Sequence, residues 1–142
     1  MEKLDYVLAA MSAAGENIRL TPVQIQKFFF VLDREVPHQI DGPRFEHAAY
    51  DYGPYDRAVY AAMDEQRDRG NVTIDTSGRY RTYSLTAAGY DVGRALADEL
   101  PGEFSVYAEK LGDWLTSLSF GQLVSAIYER YPEMRANSIF KQ

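Results

Sequence analysis

Cysteine and histidine, which commonly act as nucleophiles or metal ligands, are scarce in this sequence, and sequence spacing alone does not show whether two of its 21 acidic residues converge on a pocket. The chain has no cysteine and two histidines, His38 and His47, whereas a zinc site needs three or four nitrogen and sulfur ligands. Glu46 precedes His47, but neighbours in an extended segment point to opposite faces, so we interpret His47 as structural or solvated. Neither a phosphate-binding glycine loop nor a nucleophile-elbow serine is present. We therefore expect no enzymatic activity, no cofactor and no metal.

Tyrosine is the distinctive residue type, with eleven copies. Tyr50, Tyr52 and Tyr55 surround the dipeptide Gly53-Pro54, in which proline fixes one backbone angle and glycine permits a sharp turn. Aromatic side chains on a stiff turn offer a large contact area at low entropic cost. The segment 50–56 is the preferred partner-binding site. The alternative is that Tyr52 and Tyr55 fold inward and seal the base of the following helix.

Trp114 is a second candidate for partner binding. A helix over residues 104–118 would carry Leu111, Leu115 and Leu118 on one apolar stripe, and Trp114 falls off that stripe. Tryptophan is enriched among the residues that dominate binding energy, so an exposed Trp114 would be a contact residue. The alternative is packing against the preceding helix.

Nucleic-acid binding is disfavoured by charge but left open. The chain carries 15 basic and 21 acidic residues, a net charge of −6, while DNA-binding proteins gain affinity by neutralising phosphates. The third predicted helix offers Arg57 and Arg67 among interleaved acidic residues, and the predicted hairpin offers Arg79 and Arg81. These four arginines are the candidate contacts if DNA is bound.

Local signals divide the chain into helices and one hairpin. A first helix is predicted over residues 3–14, and a capping box at Thr21-Pro22-Val23-Gln24 begins a second over 22–35. The apolar run Phe28–Leu32 predicts that this second helix is buried on all sides. A third helix is predicted to begin at Pro54, with Tyr55 and Val59 on its buried face, and to end near Gly70.

The second half of the chain is predicted to begin with strands at 72–75 and 80–84, joined by the turn Thr76–Arg79. Thr86 would cap a fourth helix with an apolar stripe of Ala88, Val92, Ala95 and Leu96. A fifth helix over 104–118 and a sixth from Ser119 to Pro132 would follow. The tail 133–142 is left unassigned.

This order predicts a mainly α, winged-helix-like fold: three helices, a β-hairpin wing, then three C-terminal helices. We expect a single domain over 1–142, with a winged-helix-like core at 1–100 and a helical extension at 101–142. The connection Val36–Gly53 is far longer than the roughly 3–4 residues of a DNA-binding helix-turn-helix. The longest apolar run is also far shorter than the roughly 18 residues of a membrane span.

Three segments resemble one family. Gln24–Phe30 is similar to a helix motif of Panacea-type proteins, the SocA-like antitoxin domains, and Tyr52-Gly53-Pro54 resembles their tyrosine-glycine-proline signature. Ile127–Glu133 with Asn137-Ser138 resembles the YwgA-like relatives. The resemblance implies a small prokaryotic cytoplasmic module that binds another protein, such as a toxin or effector. Some members neutralise toxins and one delivers its toxin to a protease. A homodimer is left open, as is a winged-helix transcriptional regulator as the alternative function.

Overall fold

The computed structural model describes residues 1–141, which form six α-helices, five short strands and two 3₁₀ segments. This confirms a mainly helical fold with a small antiparallel sheet. Among residues 1–141, no helix is both long and apolar enough to cross a bilayer. The helices are α1 (Lys3–Ala14), α2 (Pro22–Glu35), α3 (Arg57–Asp68), α4 (Ala87–Ala97), α5 (Gly102–Ser117) and α6 (Phe120–Arg130). The strands are β1 (Arg19–Leu20), β2 (Ala48–Tyr50), β3 (Gly53–Tyr55), β4 (Val72–Asp75) and β5 (Thr82–Leu85).

Helix α2 lies in the centre of the core, as its sequence predicts. The Thr21 hydroxyl accepts a hydrogen bond from the Gln24 amide, and the Gln24 side chain accepts one from the Thr21 amide at 2.9 Å. This reciprocal cap fixes where the helix begins. All nine residues from Ile25 to Asp33 are buried, so no face of the helix centre meets solvent.

Helix α1 is buried almost as completely, which its sequence did not reveal. Residues 6–12 are all buried, because α4 packs on one side of the helix and α5 packs on another. The Tyr6 ring contacts Phe29 of α2 and Phe104 of α5 at centroid distances of 5.9 and 6.2 Å. The core therefore has two central helices rather than one.

The predicted apolar stripe of α4 is wrong for three of its four residues, and the fourth, Leu96, is partly buried against the core. Ala88, Val92 and Ala95 are exposed, whereas the buried residues of α4 are Gly89, Gly93 and Ala97. A Cβ atom on Gly93 would lie 2.0 Å from Ser12 Oγ and 2.4 Å from the Leu8 carbonyl oxygen. The two helices approach so closely that only small residues fit between them, and this outweighs side-chain hydrophobicity in choosing the buried face.

The predicted hairpin after α3 is present as β4 and β5, and the structure adds a third strand to it. Strand β1 pairs with β5, giving an antiparallel sheet in the order β1-β5-β4 with Leu20 opposite Tyr83. Thr86 caps α4 as predicted, accepting a hydrogen bond from the Gly89 amide at 3.0 Å. A two-residue strand is too short to show periodicity, so β1 could not be predicted.

The start of the third helix was wrong. Pro54 lies in β3, paired with Ala49 of β2, and α3 begins at Arg57 with Asp56 as its cap. Tyr55 therefore belongs to a strand instead of the helix face. The long connection between α2 and α3 contains the 3₁₀ segment Pro37–Gln39 followed by this second hairpin.

The last two helices share the core of the first four. Phe104 and Leu115 of α5 and Val124 and Ile127 of α6 are fully buried, in one contiguous cluster with α1 and α2. After α6 a 3₁₀ segment, Pro132–Arg135, leads the unassigned tail back to the β2–β3 hairpin. Gln142, the last residue of that tail, lies outside the described residues.

Candidate functional site

Polar side chains of α2 hold the backbone of the connection that precedes α3. The Gln26 amide donates to the Asp56 carbonyl oxygen at 3.0 Å and accepts from the Asp56 amide at 2.9 Å. Further along α2, the Asp33 carboxylate accepts hydrogen bonds from the Arg44 and Phe45 backbone amides. Two buried side chains thus fix both ends of residues 44–56 by satisfying backbone groups that a loop would otherwise leave unpaired.

Lys27 holds the middle of the same segment. Its side chain is 1% exposed, and its Nζ donates to the Tyr52 carbonyl oxygen at 2.6 Å. Within residues 1–141 no carboxylate lies within 4 Å of Nζ. Burial lowers the pKa of Lys27 to about 7, because an ammonium without a counter-charge is disfavoured away from water.

The turn at Gly53 fits closely over this lysine. Gly53 has φ of +115°, a conformation that L side chains rarely adopt. A Cβ atom there would lie 3.3 Å from Lys27 Nζ and 3.6 Å from the Tyr128 ring. Both Gly53 and Pro54 are buried. The two predicted turn residues are therefore packed against α2 and α6, and they hold the tyrosines in place.

The three tyrosines of the hairpin lie at its surface. Tyr50 is 49% exposed and Tyr52 is 37% exposed, while Tyr55 is half-buried between the Tyr50 and Tyr60 rings. Tyr52 therefore does not fold inward to seal the base of α3, which was the alternative prediction. Tyr55 is intermediate, since its ring packs beside the exposed Tyr50 at 4.8 Å.

Residues from α6 and the tail extend this aromatic region. Phe120 is 48% exposed and its ring lies 5.1 Å from the Tyr52 ring, edge to face. Ile139 is 60% exposed, and its amide donates to the Asp51 carbonyl oxygen at 3.0 Å. We call Tyr50, Tyr52, Phe120 and Ile139 the hairpin surface. Four large apolar side chains thus meet solvent around one braced turn.

Sequence reasoning missed two members of the hairpin surface. Phe120 occupies the first position of α6, directly after the Ser119 cap, where an apolar side chain has no core to face. An apolar residue at that position could therefore have indicated an exposed side chain. Ile139 carried no signal, because its place depends on the tail returning to the hairpin through the Asn137 side chain, which donates to the Ala49 carbonyl oxygen at 3.1 Å.

A cleft of about 170 Å³ opens between α2 and the β2–β3 hairpin. Lys27 and Gln26 contribute from α2, and Tyr60 contributes from α3. The other walls are the hairpin residues Tyr50, Asp51, Tyr52, Gly53, Pro54 and Tyr55, together with Val23. Lys27 therefore lines a cavity in which four of the ten lining residues are tyrosines.

Trp114 is half-buried rather than exposed. It lines a separate cleft of about 200 Å³ with residues of α2, α5 and α6, among them Tyr107 and Ile127. The Arg130 guanidinium lies 6.0 Å from its ring. The residues that line this cleft with Trp114 lie on α2, α5 and α6 and directly after α6, and none of them belongs to α4.

The four candidate DNA-contacting arginines do not form one free cationic surface. Arg67 pairs with Asp64 and Asp68 on its own helix, and the Arg81 guanidinium donates to the Tyr83 hydroxyl at 3.5 Å. Arg57 and Arg79 are exposed. The pairing on α3 neutralises the helix that would have to meet phosphates.

The histidines lie apart from any arrangement of metal ligands. Within residues 1–141, no three histidine or acidic side chains are grouped so as to hold a metal ion. His38 is exposed, whereas His47 packs against the rings of Phe30 and Phe45 at 5.6 and 5.9 Å. Burial lowers the pKa of His47 to about 4, so its imidazole is neutral at physiological pH.

Comparison with known proteins gives no relative for this chain. No family model matches it, and neither a curated protein nor a solved structure matches it.

Proposed function

We propose that this chain is a protein-interaction module that binds its partner through the hairpin surface. The observation that carries the proposal is the exposure of Tyr50, Tyr52, Phe120 and Ile139 around a turn that buried side chains hold in place. Contiguous exposed apolar side chains commonly mark interaction sites. A surface that is already ordered loses little conformational entropy on binding.

The proposal includes membership of the Panacea-type, SocA-like family and a winged-helix arrangement of residues 1–100. The order of elements supports the arrangement, as does the sheet order β1-β5-β4, which joins a strand after α1 to the hairpin after α3. The family proposal gains support from one contact. Lys27 of the helix motif and Gly53 of the tyrosine-glycine-proline motif lie against each other, so the two motif segments are parts of one structural unit.

The proposed partner is another protein, a toxin or effector, which the chain neutralises or delivers to a protease. The proposed setting is the cytoplasm. A DNA-binding regulator is less favoured, because Arg67 and Arg69 pair with neighbouring acids and the chain carries a net charge of −6. The proposal involves no enzymatic activity and no cofactor.

Affinity capture with matched variants tests this function. The tagged chain is used to capture partners from a lysate of the organism that encodes it, and the product of the adjacent gene is tested first by co-expression. Tyr52→Ala is expected to weaken the complex by about 2 kcal/mol or more, the usual threshold for a dominant contact. Tyr80→Ala is the control, because Tyr80 is 63% exposed on the β4–β5 hairpin and should leave binding unchanged.

Thermal melts of the same variants separate recognition from folding. A recognition role predicts that Tyr52→Ala loses binding while its melting temperature stays close to that of the wild type. Normal binding by Tyr52→Ala, Tyr50→Ala and Phe120→Ala would contradict the proposal, and so would binding losses that only parallel losses of stability.

A further inference from the structure

The Lys27 ammonium has unused hydrogen-bonding capacity, and Lys27 is one of the residues that line a cleft. A protonated lysine has three N–H donors, and within the described residues one of them reaches an acceptor, the Tyr52 carbonyl oxygen. No carboxylate is close enough to pair with it in residues 1–141. Desolvation is the cause of its lowered pKa, with no acidic neighbour opposing it. The charge is therefore uncompensated in the isolated chain.

The cleft beside Lys27 belongs to the hairpin surface. Tyr50 and Tyr52 form part of its wall and are also exposed members of that surface. A partner that covers the two tyrosines would therefore contact residues that line the cleft. Its volume of about 170 Å³ suits a single side chain rather than a folded element.

We propose that the partner inserts one Asp or Glu side chain into this cleft, where its carboxylate pairs with Lys27. This inference rests on the proposed function and specifies the chemistry of the partner. Covering the cleft with an apolar group would leave Lys27 without a counter-charge and would favour its neutral form. A carboxylate supplies the missing negative charge and accepts hydrogen bonds from the free N–H groups. Such charge-assisted hydrogen bonds are short and strong.

The remaining titratable groups around Lys27 do not substitute for this carboxylate. Asp51 lines the cleft but lies beyond 4 Å of Nζ, since no ion pair joins them. Asp56 uses its carboxylate oxygens on the amides of Glu46 and Ala58. The other titratable side chains that line the cleft are the phenols of Tyr50, Tyr52, Tyr55 and Tyr60, and burial raises the pKa of Tyr60 to about 12.

Display of random linear peptides against the intact chain tests the inference. We expect selected peptides to carry an essential Asp or Glu, and its change to Asn or Gln to weaken binding by about tenfold or more. Lys27→Met should abolish that dependence, so that acidic and amide peptides bind the variant equally. The thermal melt of Lys27→Met establishes that the variant is folded.

A pH titration of the wild type gives a second measurement that needs no variant. Above about pH 7 the free lysine is deprotonated, so pairing with a carboxylate requires uptake of a proton. The affinity for the acidic peptide should fall as pH rises, by up to about 50-fold between pH 7 and about pH 9. Carboxylates and phenols ordinarily titrate outside this interval.

The outcomes separate this inference from the function on which it rests. The inference would be overturned, and the proposed function left intact, by peptides whose binding is weakened by Tyr52→Ala but does not depend on an acidic residue. So would an acid dependence that persists in Lys27→Met, or an affinity that does not change with pH. Failure to select any peptide sensitive to Tyr52→Ala would count against both.

Discussion

The variant Lys27→Met isolates the energetic cost of burying a lysine without a counter-charge. The pKa of Lys27 falls from 10.5 to about 7 in the folded chain because of burial. Between these values the unfolded chain binds one more proton than the folded chain at this position. Stability therefore rises with pH across this interval, because the state that releases the proton is favoured as protons become scarce.

The magnitude follows from the pKa difference. Each unit of pKa difference is equivalent to about 1.4 kcal/mol. The resulting gain in the free energy of unfolding is fully present above the unfolded pKa and is lost as pH falls towards 7. From pH 7 to about pH 9 the lysine should add about 2 kcal/mol to the free energy of unfolding. Methionine has nearly the same length and no charge, so the variant should lack this gain.

Urea unfolding of both proteins at several values between pH 7 and about pH 9 measures the effect. The unfolding free energy of the wild type minus that of the variant should rise by about 2 kcal/mol between pH 7 and about pH 9. The groups shared by both proteins cancel in this comparison. His47, with its pKa lowered to about 4, and Tyr60, with its pKa raised to about 12, also act outside the interval. A difference that stays constant across the interval would refute the reasoning.

Three further predictions follow from the core, the α1–α4 contact and the surface charge. Phe28→Ala should lower the free energy of unfolding by about 3–5 kcal/mol, because the ring is fully buried, and an unchanged urea midpoint would place α2 outside the core. Gly93→Ala should cost about 1–3 kcal/mol or more because its Cβ would meet Ser12 Oγ at 2.0 Å. Gly102→Ala, whose Cβ meets nothing within 4 Å, should be tolerated in the same melt. Fluorescence anisotropy should show no micromolar binding of random duplex DNA near physiological salt, and steeply salt-dependent binding would favour the regulator.

Local signals explain which elements could be predicted from the sequence. Thr21 and Thr86 each cap a helix in the structure as expected, because a cap depends on neighbouring residues alone. Ser119, expected to begin the sixth helix, is its cap. Phe28 and Leu32 are fully buried as expected. The cluster of apolar residues in that helix is dense enough to require burial whatever the arrangement of its neighbours.

Long-range contacts explain what could not be predicted. Pro54 suits both a first helical turn and a strand, and the Gln26 amide decides the outcome by pairing with the Asp56 backbone. The buried face of α4 depends on how closely α1 approaches it. That distance cannot be predicted from the sequence of either helix alone. At the site, the tyrosines and the Gly-Pro turn were found in sequence, whereas the bracing role of Lys27 needed the fold.

Hydrogen exchange of the complex with the captured partner tests the central claim most directly. Amides of residues 48–55 and of the tail near Ile139 should exchange more slowly in the complex than in the free chain, because the hairpin surface becomes covered. The β4–β5 hairpin should exchange at the same rate in both. Protection confined to α3 and the β4–β5 hairpin, with residues 48–55 unchanged, would contradict the account.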